Sequence, residues 1–268
     1  MTHTPHPTPT TLPLTVEAGV ATVTLASKAP QQALLFETLQ TMLEVAQHIR
    51  GRTDIHAVVL TGSPTRFSAG VDLSLLAALD QASLLERRQL VRLGPDMCDA
   101  WAAIEVPTIA AIEGPCVGGG LALALSCDFR VVSDSAQLRL PEVPLGMSMS
   151  WHSLPKLVAL VGPAKAKRVA LAGELVDAAT ALAWGLAERQ VAAGQSLSNA
   201  LAWAHDLAAL PPIAVRMTKE TINALAHALA PLATHMDRDQ FLLSQSSEDL
   251  AEGIQAWLQK RPPHFQGR

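Results

Sequence analysis

The sequence predicts an α/β fold followed by an all-helical C-terminal part. In the first two-thirds of the chain, short apolar runs that suit strands alternate with segments whose apolar residues recur at helical spacing. From Ser198 onward no segment has the pattern of a strand. With 49% hydrophobic and 16% charged residues, the 268-residue chain can bury a substantial core. We therefore predict a core over 13–197 and a helical region over 198–268, after a disordered lead-in over 1–12.

The first third of the chain supplies a hairpin, a helix and a buried strand. Leu14–Ala26 alternates apolar and polar residues around a glycine turn, as a half-buried hairpin does. Apolar residues from Leu35 to Ile49 fall at helical spacing, and Gly51 ends that helix. Ala57–Leu60 is a short apolar run typical of a buried strand. Leu73–Ile104 is predicted to be mostly helical, with an interruption near Gly94 and Pro95.

The remaining elements are predicted by the same criteria. Pro163 suits the first turn of the helix that begins at Gly162, and Asp177 suits the position before the next helix. The predicted strands are Ile109–Ile112, Phe129–Val132 and Gln137–Leu140. The predicted helices are Leu121–Ser126, Gly162–Gly173, Asp177–Gly185, Ile213–Leu229, Met236–Ser244 and Asp249–Lys260.

Three consecutive glycines, Gly118–Gly120, stand between a predicted strand and a predicted helix. Glycine permits unusual backbone angles and close approach of a ligand. The first N–H groups of a helix have no intrahelical partner, so they suit an oxyanion or a phosphate. A tight loop or close helix packing is the alternative interpretation. A nucleotide site fits poorly, because neither G-x-G-x-x-G nor a Lys-Ser/Thr pair accompanies the glycines.

A second stretch, F-S-A-G-V-D-L at Phe67–Leu73, repeats the order of strand, glycine turn and helix. Together with G-P-C-V-G-G-G-L-A-L-A-L-S-C-D at Gly114–Asp128, it resembles the enoyl-CoA hydratase/isomerase family, the crotonase superfamily. The resemblance covers nearly the whole chain. It implies a crotonase-like spiral of ββα turns, whose C-terminal helices join subunits into a homo-oligomer, a trimer or a hexamer.

The resemblance also implies which groups carry the chemistry. Acyl-CoA thioesters react through an enolate, and two backbone N–H groups stabilise the enolate oxygen. By position in the motifs, these are the amides of Val71 and Gly119. The neighbouring positions implied to contact the substrate are Ala69, Gly70, Asp72 and Gly118.

The proton carrier is the point at which this chain departs from the family hydratases, which use two glutamates. The second position is occupied by Glu142, whereas the first is Ala122, which cannot carry a proton. One base suffices to move a double bond, so we expect a one-glutamate enoyl-CoA isomerase. The alternatives are a one-glutamate hydratase of aliphatic or aromatic substrates, and a CoA-thioester-binding paralogue with little catalysis. An ordinary loop carboxylate is the plain alternative for Glu142.

Four further residues are candidates for substrate contacts. Ser150 and Trp151 follow Gly146, where many relatives have a glycine-rich turn, and they are candidates to line the acyl site. Lys28 and Lys260 are candidates for contacts with the phosphates of CoA. The alternatives are packing for the first pair and solvated surface positions for the two lysines.

Composition and charge exclude several other functions. The net charge of −4 and the absence of a basic run argue against nucleic acid, and no apolar stretch is long enough to span a membrane. The three cysteines form no disulfide framework, which suits the cytoplasm. The nine scattered histidines suggest no metal site. We expect no cofactor other than coenzyme A as part of the substrate.

Overall fold

The computed structural model of the chain describes residues 14–25, 27–75, 79 and 81–268. The lead-in predicted over 1–12 lies outside the described residues. Within them, no helix is long and apolar enough to cross a membrane.

The strands are short, and several have only two or three residues. They are β1 (Leu14–Glu17), β2 (Val20–Thr24), β3 (Ala57–Thr61), β4 (Thr108–Ile112), β5 (Pro115–Val117), β6 (Phe129–Ser133), β7 (Gln137–Arg139), β8 (Val176–Asp177) and β9 (Arg189–Val191).

Helices lie between many of the strands, and the C-terminal region from Ser196 to Gln259 consists of helices and their connections. They are α1 (Phe36–Arg50), α2 (Leu84–Leu90), α3 (Leu93–Ala102), α4 (Gly119–Ala124), α5 (Ser153–Ala172), α6 (Ala178–Trp184), α7 (Ser196–Ala208), α8 (Pro212–Ala226), α9 (Ala230–Thr234), α10 (Asp237–Gln245) and α11 (Glu248–Gln259). Two 3₁₀ turns lie at Pro30–Gln32 and Val143–Leu145.

Two sheets run side by side through the described part of the chain. The larger has six strands in the order β1-β2-β3-β4-β6-β9, with only the β1–β2 hairpin antiparallel. The smaller has the order β5-β7-β8. Single bridges between Leu34 and Val71 and between Ser68 and Cys116 pair successive loops in the same way as β5 pairs with β7. Each turn of the chain therefore places one strand in the large sheet and one extended segment beside it, which produces a spiral of ββα turns.

The core lies inside this spiral, and a second apolar layer covers the large sheet from outside. Trp101, which is fully buried, donates its indole N–H to the Met42 carbonyl at 3.1 Å and links α3 to α1. On the outer side, Ala200 and Ala204 of α7 pack on strands β2, β3, β4 and β6. The small side chains of α7 let the helix lie close to the sheet.

The predicted elements agree with the structure in type, with differences at their ends. Strands β5, β8 and β9 were not predicted, because two or three residues are too few for an alternating pattern. The interruption predicted near Gly94 and Pro95 is present, since α2 ends at Leu90 and α3 begins at Leu93, with both residues in the first turn of α3. The helix predicted from Gly162 is the second half of α5, since Gly162 has φ +76° and separates it from an earlier half beginning at Ser153.

The last helix packs against the loop that follows β7. A Cβ on Gly146 would lie 2.7 Å from the Asp249 carbonyl oxygen, and Gly253 faces the Leu145 carbonyl with no room for a side chain. Leu250 is buried, and Ile254 packs with it against Met147. Part of the apolar face of α11 is therefore used within its own chain, whereas Trp257 and Leu258 are 59% and 64% exposed.

Candidate active site

The two glycine turns are joined directly by backbone hydrogen bonds. The N–H groups of Phe67 and Ser68 donate to the Pro115 carbonyl at 3.1 and 3.0 Å, and the Val117 N–H donates to the Ser68 carbonyl at 3.0 Å. Gly70, at φ +85°, passes so close that a Cβ on it would lie 2.7 Å from the Val117 oxygen. Glycine is required there both for the backbone angle and for the approach.

The amides of Val71 and Gly119 come together at this crossing. Leu34 donates to the Gly70 carbonyl and accepts from the Asp72 N–H, so the Val71 N–H faces the opposite side of its segment. Gly119 is the first residue of α4, where an N–H has no intrahelical acceptor. Within the described residues, neither amide donates to a protein acceptor. The Gly119 nitrogen lies 3.5 Å from where a Gly70 Cβ would stand.

Each of the three consecutive glycines makes room for a different side chain. A Cβ on Gly118, which has φ +54°, would lie 2.8 Å from Glu142 Oε1. A Cβ on Gly119 would lie 2.5 Å from the indole ring of Trp151, and one on Gly120 would lie 2.6 Å from Ser68 Cβ. The triplet is thus a packing surface as well as a turn.

Glu142 lies at the start of the Val143–Leu145 turn with its carboxylate against Gly118. Its Oε2 atom is buried and has no hydrogen-bond partner among the described residues. Burial disfavours the charged form and raises the pKa of Glu142 from 4.5 to about 7. A carboxyl with this pKa exchanges a proton readily near neutral pH.

Trp151 and His152 form a left-handed turn, with φ +67° and +54°. The His152 N–H donates to Asp237 Oδ2 at 2.8 Å, and its Nδ1 lies 2.9 Å from Asp99 Oδ2. These two carboxylates hold the turn so that the Trp151 ring fills the space above Gly94 and Gly119. The hydrogen bond to Asp99 raises the pKa of His152.

The main cavity, about 840 Å³ in volume, opens where these parts meet and is lined by Gly70, Val71, Gly119, Glu142 and Trp151 among others. Its wall is mostly apolar. Among the described lining residues, the carboxylates are Asp72 and Glu142. Asp72 accepts from the Ser74 N–H at 2.9 Å, and hydrogen bonding with Ser74 lowers its pKa. No group of three His, Cys, Asp or Glu side chains in the described residues is arranged to hold a metal ion.

Comparison with known proteins identifies the family. The family model described as enoyl-CoA hydratase/isomerase matches residues 15–268. The chain belongs to the enoyl-CoA hydratase/isomerase family. It is 32% identical over 252 residues to a probable enoyl-CoA hydratase of Mycobacterium tuberculosis, covering 93% of this chain and 95% of the relative.

Solved structures of the family confirm the predicted crotonase-like fold. An enoyl-CoA hydratase from Mycobacterium avium subsp. paratuberculosis matches with a TM-score of 0.84 at 25% identity, covering 95% of this chain and 98% of the other. An enoyl-CoA hydratase/isomerase from Pseudoalteromonas atlantica matches with a TM-score of 0.83 at 26% identity, covering 95% and 99%.

Most residues predicted from the family motifs lie on the main cavity wall. The predicted residues on the wall are Ala69, Gly70, Val71, Asp72, Gly118, Gly119, Glu142, Ser150 and Trp151. Lys28 and Lys260 do not lie on it. The Lys28 side chain is 75% exposed and lies 3.9 Å from Glu37, and exposed Lys260 ends α11 beside a separate surface depression.

Ala122, the family position of a first glutamate, is fully buried in the hydrophobic core. It is not among the described residues that line the main cavity. Its carbonyl accepts from Ser126 Oγ at 2.9 Å within the same helical segment. In this member of the family, the position contributes packing and no proton carrier.

Four arginines on the main cavity wall were not predicted: Arg66, Arg139, Arg238 and Arg261. Arg261 is paired with Glu252, and Arg139 donates to the Gly173 carbonyl at 2.7 Å. Arg66 donates to the neutral side chain of Gln31 at 2.6 Å, so its charge is not balanced there. Arg66 directly precedes the F-S-A-G motif, and this position was the sequence signal that could have identified it as a residue of the site.

We expect Glu142→Gln to stabilise the protein more at pH 8 than at pH 5. The unfolded chain ionises this carboxyl near pH 4.5, whereas the folded protein keeps it protonated up to about 7. The wild type therefore loses free energy of unfolding as pH rises between these values, on the order of 2–3 kcal/mol, and glutamine avoids this loss. Urea unfolding at both pH values, at one protein concentration, measures the difference.

Asp72→Asn is the matched control for that experiment. Because the pKa of Asp72 is lowered below 3.8 in the folded protein, this carboxyl is ionised in both the folded and the unfolded chain at pH 5 and at pH 8, so Asp72→Asn should change the free energy of unfolding by the same amount at both pH values. Equal effects of Glu142→Gln at both pH values would contradict the assignment of a raised pKa to Glu142.

Proposed function

We propose that the protein is an enoyl-CoA isomerase in which Glu142 is the only general base. The observation that supports this most is the state of the Glu142 carboxylate on the wall of the main cavity. Its Oε2 atom is buried and has no protein partner among the described residues, and its pKa is near 7. Asp72, the other carboxylate on the described wall, has a lowered pKa and is a weaker base.

A single carboxylate is sufficient for this reaction. Glu142 removes a proton from C2 of a 3-enoyl thioester, and the electron pair of that C–H bond moves onto the thioester oxygen as a dienolate. The resulting carboxylic acid then gives the proton to C4. The double bond moves to C2–C3, and Glu142 returns to its ionised form.

The dienolate oxygen needs donors that are in place beforehand. We assign this role to the N–H groups of Val71 and Gly119, which face the crossing of the two turns without protein acceptors among the described residues. Donors fixed by the fold stabilise developing charge without reorganising, and each is typically worth roughly 3–4 kcal/mol of barrier. The chemistry requires no resident cofactor.

The phosphates of CoA need cationic partners at the cavity. We propose Arg66 for this role in place of Lys28 and Lys260, since Arg66 lines the main cavity and its guanidinium, among the described residues, donates to the neutral side chain of Gln31. We also propose that the reaction takes place in the cytoplasm, because the three cysteines are free and buried, as in a reducing compartment. Burial raises the pKa of the Cys98 thiol to about 11.

The second candidate is a one-glutamate enoyl-CoA hydratase. The names of the relatives favour it, since those of Mycobacterium tuberculosis and Mycobacterium avium subsp. paratuberculosis are both called enoyl-CoA hydratases. A CoA-thioester-binding protein with little catalysis is the third candidate, because Ala122 cannot carry a proton.

Turnover of 3-enoyl-CoA and crotonyl-CoA by the wild type separates the candidates. We expect isomerisation to be faster than hydration, and Glu142→Gln to lower turnover by roughly 10²–10⁴ with little change in acyl-CoA affinity. Exposed Glu44→Gln makes the same chemical change away from the site and should have no effect. Hydration without isomerisation would favour the second candidate, and binding without turnover would favour the third.

The donor role of Gly119 is tested by comparing two substitutions. Alanine and proline both place a Cβ against Trp151, but only proline removes the N–H, and the first position of a helix tolerates proline. We expect Gly119→Pro to be slower than Gly119→Ala by roughly 10²–10³ in kcat. Equal rates in two folded variants would show that this amide does not bind the oxyanion.

We propose that the protein forms a homo-oligomer, with α8 as the helix that joins the subunits. On α11, one of the C-terminal helices expected to join subunits, Leu250 and Ile254 pack within the chain, whereas Trp257 and Leu258 are 59% and 64% exposed. In contrast, α8 buries no residue, and its Ile213, Met217 and Leu225 are 73%, 63% and 77% exposed. Apolar side chains gathered on one helix mark an association surface. We propose that α8 packs against further copies of this chain.

Light scattering at micromolar concentration tests this assembly. The wild type should have the mass of a trimer or hexamer, and Ile213→Glu with Leu225→Glu should shift it toward the monomer. Leu171→Glu, which charges a residue that is 58% exposed on α5, is the control and should leave the mass unchanged. A wild type with the mass of one chain would contradict the proposal.

A further inference from the structure

Arg238 is a cation on the wall of the main cavity that the reaction does not use. It is the second residue of α10, and its Nε atom is buried without a hydrogen-bond partner among the described residues. A buried N–H group without an acceptor is costly, so native proteins normally pair such groups. An unpaired one that faces a cavity points to a ligand.

Both acidic neighbours of Arg238 in the sequence are bound to other groups. Asp237 accepts from the His152 N–H at 2.8 Å, and Asp239 forms an ion pair with Arg88 at 2.8 Å. Arg238 forms no ion pair among the described residues, and its charge makes only a minor contribution to the lowered pKa of Asp239, after that of Arg88. Its charge is therefore available to a group that enters the main cavity.

The surroundings of Arg238 are apolar. Phe241, one helical turn further along α10, packs with Leu79, Val91 and Met147, all of which also line the main cavity. Trp151 borders the same region through the turn that Asp237 holds. This wall suits a chain of methylene groups better than the polar parts of CoA.

We propose that Arg238 binds a carboxylate at the far end of the acyl chain, so that the preferred substrates are enoyl-CoA thioesters of dicarboxylic acids. This inference rests on the proposed function and names its substrate class. Arginine binds a carboxylate through two parallel N–H···O bonds, which are strong in an apolar environment. The apolar wall beside it receives the methylene groups between the carboxylate and the thioester.

The test uses pairs of 3-enoyl-CoA and 2-enoyl-CoA substrates of equal chain length, one ending in a methyl group and the other in a carboxylate. We expect wild-type kcat/KM to favour the carboxylate at one chain length or more. Arg238→Gln should reduce kcat/KM for that substrate on the order of 10²-fold and leave its methyl partner within about threefold. Both rates are measured on one protein sample, so a loss of folded protein cancels in their ratio.

Arg92→Gln is the matched control. It removes the same charge from an exposed residue that is paired with Asp96 and does not line the main cavity. Its selectivity should equal that of the wild type. If Arg238→Gln weakens both substrates and free CoA alike, Arg238 binds the phosphates of CoA and the proposal is overturned. A wild type that prefers the methyl-ended substrate at every length also overturns it.

Failure of the proposed function is distinguishable from failure of this inference. If neither substrate is turned over, calorimetry with hexanoyl-CoA and adipoyl-CoA, and with their longer homologues, measures the preference by binding. Tighter binding of the carboxylated thioester, abolished in Arg238→Gln and retained in Arg92→Gln, supports the carboxylate site without catalysis. Equal binding at every length overturns it.

Discussion

The hydrogen bonds between the two glycine turns are the constraint on which the site depends. The Pro115 carbonyl accepts from both Phe67 and Ser68, and Val117 donates back to Ser68, so neither turn can shift without the other. Gly70 completes the crossing, because its backbone comes too close to Val117 for any side chain. The amides beside this crossing therefore have fixed positions before a ligand arrives, which is the condition for electrostatic stabilisation of a transient oxyanion.

Features of the site that lie within one continuous motif could be predicted from the sequence. Val71, Gly119 and Glu142 each stand at a fixed place in a short pattern, and the structure brings all three to one cavity. The alternation of strands and helices predicted the layered core for a similar reason, since local periodicity reports which face of an element is buried. The resemblance to the family also revealed the departure at Ala122, because the sequence has an alanine where a glutamate is expected.

Features that depend on contacts between distant segments could not be predicted. Trp151 is recognisable as apolar, but its place against Gly94 depends on a turn held by side chains from other helices. Lys28 and Lys260 were selected for charge, and charge does not reveal which way a loop or helix end faces. Arg238 stands between two aspartates and resembles part of a solvated helix face in the sequence. Only the structure shows that both aspartates bind elsewhere.

The packing of α11 against the loop of Glu142 has a consequence for biosynthesis. The Leu145–Gly146 corner, which follows Glu142 in the chain, packs against backbone atoms of Asp249 and against Gly253. Domains begin to fold from their N-terminal parts while the ribosome is still adding residues. Both glycine turns can therefore fold in a nascent chain before α11 is available to pack against the loop that carries Glu142. The protein becomes competent for chemistry only after almost all of it has been translated.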